Sequence, residues 1–87
     1  MSYASVYSYE HYKKFEDLKK AFGDNKELYF KHFCQSGMKE GRVAKTSFNV
    51  KKYKERYEDL RKKYGSNLIE YYKHYCLYGK KEGRKGN

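Results

Sequence analysis

Residues 15–42 read FEDLKKAFGDNKELYFKHFCQSGMKEGR, and residues 57–84 read YEDLRKKYGSNLIEYYKHYCLYGKKEGR. The two stretches align without a gap at an offset of 42, and 15 of the 28 aligned positions are identical. Several of the others exchange Phe for Tyr. The shared skeleton is (F/Y)-E-D-L-x-K-x-(F/Y)-G-x-N-x-x-x-Y-(F/Y)-K-H-(F/Y)-C-x-x-G-x-K-E-G-R. Self-similarity at a fixed period over most of a chain signals an internal duplication, so the fold is that of one unit used twice.

Each unit reads as two helices. Tyr12, Phe15, Leu18 and Phe22 recur at three- or four-residue spacing and form one apolar stripe. Gly23 follows and suits a helix C-terminus that needs positive φ. Asp24 or Asn25 then caps a second helix, in which Tyr29, His32, Phe33 and Ser36 share a face with Leu28 beside them. Gly37 marks the next stop. The second unit repeats the pattern with Tyr57, Leu60 and Tyr64, then Gly65, Ser66 and Asn67, then Tyr71, His74, Tyr75, Tyr78 and Gly79. The expected fold is all-α: two tandem helix-hairpin repeats, four main helices, packed as one small domain. Residues 5–43 form the first repeat and 47–85 the second. Residues 42–48 are too short a linker to separate independent domains.

Composition agrees. The chain has 87 residues, enough for one compact domain, and no proline. Its 12 Tyr and 5 Phe can bury much area while the tyrosine hydroxyls stay near water. No apolar run approaches the roughly 20 residues that span a bilayer. The opening MSYASVYSYE has neither a basic n-region nor an apolar h-region, so no signal peptide is read in it.

The skeleton D-L-x-x-x-(F/Y)-G-x-N, followed by H-(F/Y)-x-x-x-G-x-x-E-G-R, resembles a tandem repeat of secreted and surface-attached bacterial proteins, common in gut Firmicutes. There it sits beside peptidoglycan hydrolases, peptidases and other extracellular domains. The residues that carry the resemblance run from Asp17 to Arg42 and from Asp59 to Arg84. It implies an extracellular or cell-surface parent protein and a non-catalytic accessory role at the envelope. Cys34 and Cys76 stand where an apolar or small residue is the usual choice.

Several residue sets invite a chemical reading. His32 with Cys34, and His74 with Cys76, have zinc-ligand chemistry, but H-x-C on a helix points its side chains about 200° apart and zinc-finger spacing is missing. No metal and no cofactor are therefore expected. The histidines read as structural residues satisfied by a hydrogen bond, with the E-G-R turn as candidate partner. The cysteines read as small apolar residues; a Cys34–Cys76 disulfide is the alternative, because symmetry-related positions can meet at an interface. Asp17 with Arg42, and Asp59 with Arg84, read as ties between the turn and the first helix of each unit. Scaffolding repeats with a duplicated unit, whereas an active site usually occurs once, and no enzyme is expected.

The charge is uneven. Residues 1–43 hold 8 Lys/Arg against 6 Asp/Glu, a net of +2, and residues 44–87 hold 13 against 5, a net of +8. Lys51, Lys52, Arg61 and Lys62 are the candidate binding residues of this excess, either for phosphate or as a solvated face. Tyr72 and Tyr78 exceed what the core stripes need and are candidates for stacking on a sugar or peptide. The N-terminal tyrosines read as packing over the helix pair together with Val6. Expected partners are a cell-wall or surface glycan or a protein, with nucleic acid as the alternative.

Overall fold

The computed structural model describes residues 2–87. Among them the regular structure is helical, with two isolated β-bridges, Tyr7 to Ala44 and Lys45 to Phe48, and no strand. The helices are α1 (Tyr9–Tyr12), α2 (Glu16–Phe22), α3 (Lys26–His32), α4 (Met38–Glu40), α5 (Val50–Arg56), α6 (Glu58–Tyr64) and α7 (Leu68–His74). A π-helical turn, Phe33–Gly37, joins α3 to α4, and another, Tyr75–Gly79, extends α7. The class is all-α.

To the four expected helices the structure adds a short helix ahead of each hairpin. The stripe from Tyr12 to Phe22 is not one helix, because Phe15 is extended at φ −67° and ψ 119°. Tyr12 therefore ends α1 while Leu18 lies in α2. Tyr57 makes the same break between α5 and α6. Both restarts are followed at once by an acidic pair, Glu16–Asp17 and Glu58–Asp59, which complements the positive end of the helix. Asn25 caps α3 by accepting from the Glu27 and Leu28 amides, and Asn49 caps α5 by accepting from those of Lys51 and Lys52. Gly23 and Gly65 end α2 and α6 at φ 60° and 57°, where an L side chain is strained although nothing stands in its way.

One cluster of buried residues runs through both halves. Phe33 meets Tyr72 edge-on at 5.7 Å, and Tyr72 meets Phe48 at 5.3 Å, so aromatic contact is continuous across the junction. Five tyrosines, Tyr12, Tyr29, Tyr53, Tyr71 and Tyr72, are fully buried. A buried hydroxyl without a partner costs several kcal/mol in an apolar medium, on the order of 2–7. Each of these five has one. Tyr29 and Tyr71 donate to the Gly23 and Gly65 carbonyls, Tyr72 donates to the Arg42 carbonyl, and Tyr12 and Tyr53 pair with histidines.

Val6 is buried, and Tyr7 packs on Tyr12, Phe30 and Phe33 at 4.8–5.4 Å. Two expectations need correction. Leu28 does not join the buried face of α3 and is exposed. Tyr72 is not a surface residue: its ring fills the junction between the halves.

Candidate functional site

Asp17, Glu40 and Arg42 of the recurring motif are bonded to one another, as are Asp59, Glu82 and Arg84. Arg42 lays its two terminal nitrogens on the Asp17 carboxylate at 3.2 and 2.7 Å, and its Nε donates to Glu40 at 2.6 Å. Its guanidinium lies 4.8 Å from the Phe15 ring centre. Arg84 does the same with Asp59 at 3.1 and 2.9 Å, with Glu82 at 2.8 Å, and over Tyr57 at 4.6 Å. The planar fork matches a carboxylate in this bidentate way and stacks on a ring at once. Hydrogen bonds from the arginines hold the Asp17 and Asp59 carboxyls below the usual range. A carboxylate held ionised by a guanidinium is poorly suited to exchange protons near neutrality.

The histidines are held by tyrosines and not by the E-G-R turn. Tyr12 Oη and His32 Nδ1 are 2.8 Å apart, as are Tyr53 Oη and His74 Nδ1. The turn's arginine is already committed to its carboxylates, which leaves the buried hydroxyl as the partner within reach. Burial pushes the Tyr12 and Tyr53 hydroxyls up, and it pushes His74 down. The π-helical turns bring Gly37 and Gly79 against these same hydroxyls: a Cβ at either glycine would lie well inside contact distance of Tyr12 Oη or Tyr53 Oη.

Cys34 and Cys76 are free thiols, partly buried, with no bond between them. Burial raises both, Cys76 to about 11. The Tyr3 hydroxyl is raised first by burial and then by the charges of Cys34 and Cys76. Among the described residues no group of three or more His, Cys, Asp or Glu could hold a metal ion. No helix among them is long and apolar enough to cross a membrane.

The basic candidates divide. Lys51 and Arg61 share an open groove of about 470 Å³ with Lys54, Glu55, Ser66 and Leu68. Lys52 lies beside it with Glu55 and Arg56. Lys62 turns to Glu58 at 3.7 Å, one turn away on α6, and does not line the groove. Arg61 also serves the fold, since its Nη1 donates to the carbonyls of Lys54 and Glu55 and so closes the C-terminal end of α5. Replacing it would therefore disturb the fold as well as the charge. Tyr78 is 57% exposed and packs on His74 with ring centres 5.8 Å apart.

Lys54, which belongs to the basic excess read in the sequence, completes the groove with Glu55, Ser66 and Leu68, none of which was read there as a binding residue. Ser66 and Leu68 reach it only through the turn between α6 and α7, for which no local pattern signals a ligand. Compared with protein-family models, with curated proteins and with solved structures, the chain matches none.

Proposed function

We propose that the chain is a non-catalytic accessory module of a bacterial envelope protein, built of two tandem repeats, that binds a cell-wall or surface glycan or spaces a neighbouring domain. The observation that carries this reading is where the polar chemistry goes. Asp17, Glu40, Asp59 and Glu82 are bound to arginines, both motif histidines to tyrosines, and the thiols are raised by burial. A duplicated set of residues spent on its own framework suits a scaffold. Outside stand an open basic groove and the exposed pair Leu77 and Tyr78, besides Leu28 and Phe30 on α3. A tyrosine ring presents flat area with little rotamer entropy to lose, which suits a sugar face.

The test is retention on purified cell-wall material at low and moderate salt, alongside random duplex DNA. The reading expects retention on walls and its loss in Tyr78→Ala. Tight, salt-sensitive DNA binding with no wall retention would replace it by the second reading, a basic nucleic-acid-binding helical protein. That alternative is favoured by the net charge of +10 and by its concentration in residues 44–87.

A further inference from the structure

The two halves carry corresponding depressions on their surfaces. In the first half, Tyr9, Lys13, Lys19, Gly23, Asp24 and Tyr29 line a hollow of about 270 Å³. The groove of the second half measures about 470 Å³. The tyrosine–histidine bonds set their register. Tyr12 and Tyr53 hold equivalent histidines but stand 41 residues apart, one less than the offset of 42 that follows. On that register Lys13 matches Lys54, Lys19 matches Arg61, and Asp24 matches Ser66.

Five differences of charge or ring separate the depressions: Lys14 becomes Glu55 and Lys26 becomes Leu68, which take cations from the second, and three others act the opposite way. Glu10, which pairs with Lys13 at 2.7 Å, becomes Lys51. Asp24 becomes Ser66. Tyr9, whose ring receives the Lys13 and Lys26 ammonium groups at 5.5 and 5.2 Å, becomes Val50. In the first hollow Lys13 is thus paired with Glu10, and Lys13 and Lys26 face the Tyr9 ring. In the second, neither Lys51 nor Lys54 forms an ion pair among the described residues, and Glu55 is the one carboxylate in the lining. Arg61 is anchored by the carbonyls it caps, which fixes its position and leaves its charge.

Helix α5 adds an independent sign. Each of the other α-helices has an acidic residue in its first turn, whereas α5 has none and places Lys51 and Lys52 there. Cations at that end oppose the helix dipole and cost stability. A local rule broken at one place points to a functional demand there.

We propose that the groove formed by Lys51, Lys54, Arg61 and Ser66 binds the phosphodiester groups of a linear polyol- or sugar-phosphate chain. Two ammonium groups, a fixed guanidinium and a hydroxyl supply donors for phosphate oxygens. Leu68 and the lysine stems offer apolar contact to the carbon skeleton. The groove is open, which lets a polymer pass through. No aromatic ring lines it, so it lacks the stacking platform that single-stranded nucleic acids use. The inference deepens the envelope reading by naming a ligand class, and it rests on that reading.

The test is calorimetric titration of the full chain with a glycerol-phosphate oligomer, and with single-stranded and duplex DNA of equal phosphate content. The double variant Lys51→Glu with Ser66→Asp puts back the two carboxylates that the first half carries at these positions. It is expected to weaken oligomer binding about tenfold, the effect of moving a few unit charges at near-water dielectric. It should also be more stable than the parent, since a carboxylate in the first turn of α5 complements the dipole; loss of binding therefore cannot be put down to unfolding. The milder Lys54→Gln should weaken binding less. The reciprocal Glu10→Lys with Asp24→Ser should raise the stoichiometry from one site towards two. Unchanged oligomer affinity in the Lys51→Glu/Ser66→Asp variant overturns the groove, and wall retention through Tyr78 in that same variant would show the accessory-module reading surviving it. DNA binding tighter than the oligomer at equal phosphate overturns the ligand class.

Discussion

Arg42 and Arg84 hold the same partners in the same way, a bidentate aspartate, a glutamate and a ring beneath, while the residues around them differ in character. Met38 is buried where its counterpart Lys80 is exposed. Leu68 and Ile69 are half-buried where Lys26 and Glu27 are exposed. Tyr72 is buried where Phe30 is 40% exposed. The cause is contact between the halves: α4 packs against α7, and the Tyr72 hydroxyl reaches the Arg42 carbonyl. Positions facing the other half are apolar, and their counterparts on the outer faces are charged or left in solvent. The motif residues thus set the interior of each half, and the neighbour sets the rest.

The strongest way to break the shared interior is a methyl group at Gly79. Its Cβ would meet the Tyr53 hydroxyl, which is itself fixed by His74. Overpacking of this kind costs about 3 kcal/mol. Gly79→Ala should lose that much in urea unfolding, and Gly37→Ala somewhat less, because the Tyr12–His32 pair is only partly buried. Combining Gly79→Ala with Tyr53→Phe removes the clashing oxygen and should recover part of the loss. Full additivity of the two losses would show that the clash lies elsewhere.

Exchanges between inner and outer faces should be asymmetric. Met38→Lys puts an ammonium where the side chain is 2% exposed and should cost about 2 kcal/mol, moderated by the reach of the lysine stem. Lys80→Met changes an exposed position and should leave the unfolding midpoint nearly unmoved. Equal effects would mean that contact between the halves does not set these residue choices. Next in size is Tyr53→Phe, which leaves His74 Nδ1 buried without its partner and should cost about 1 kcal/mol. Tyr12→Phe should cost less.

The helical class was legible because the apolar spacing and the glycines after each stripe, Gly23 and Gly65, carry it locally. The breaks at Phe15 and Tyr57 were not. Both rings keep helical spacing with their neighbours, and no Gly or Pro marks the change; the sign was the acidic pair that follows. Tyr72 was misread for a different reason. Its burial depends on the other half lying across it, and nothing within one unit encodes that. The partner of each histidine was missed because Tyr12 and Tyr53 sit at offset 41, outside the gapless alignment. Of the candidate site, the basic excess was visible in composition, but the convergence of Lys51, Lys54 and Arg61 with Ser66 needs α5 and the turn before α7 brought together.

The smallest expected effect concerns pH and separates His74 from the carboxylates. Burial holds the folded His74 below its ordinary 6.5. Between the folded and unfolded values the unfolded chain binds more protons, so stability rises with pH across that window. The contribution is fully present above 6.5 and is lost as pH falls through the folded value. Asp17 and Asp59, lowered by their arginines, behave in the same sense, but their windows begin at 3.8 and lie below it. An acid titration of stability should therefore show two descents: a shallow one starting below 6.5, and a later one below 3.8. His74→Gln should remove the first and leave the second; Arg84→Ala should reduce the second and make the first shallower, because the Arg84 charge adds to burial in holding His74 down. The hydroxyl of Tyr53 can donate to neutral Nδ1 or accept from the protonated ring, so the first descent reflects the burial of a charge more than a broken bond. A single descent that His74→Gln does not alter would place the cost of acid entirely on the carboxylates.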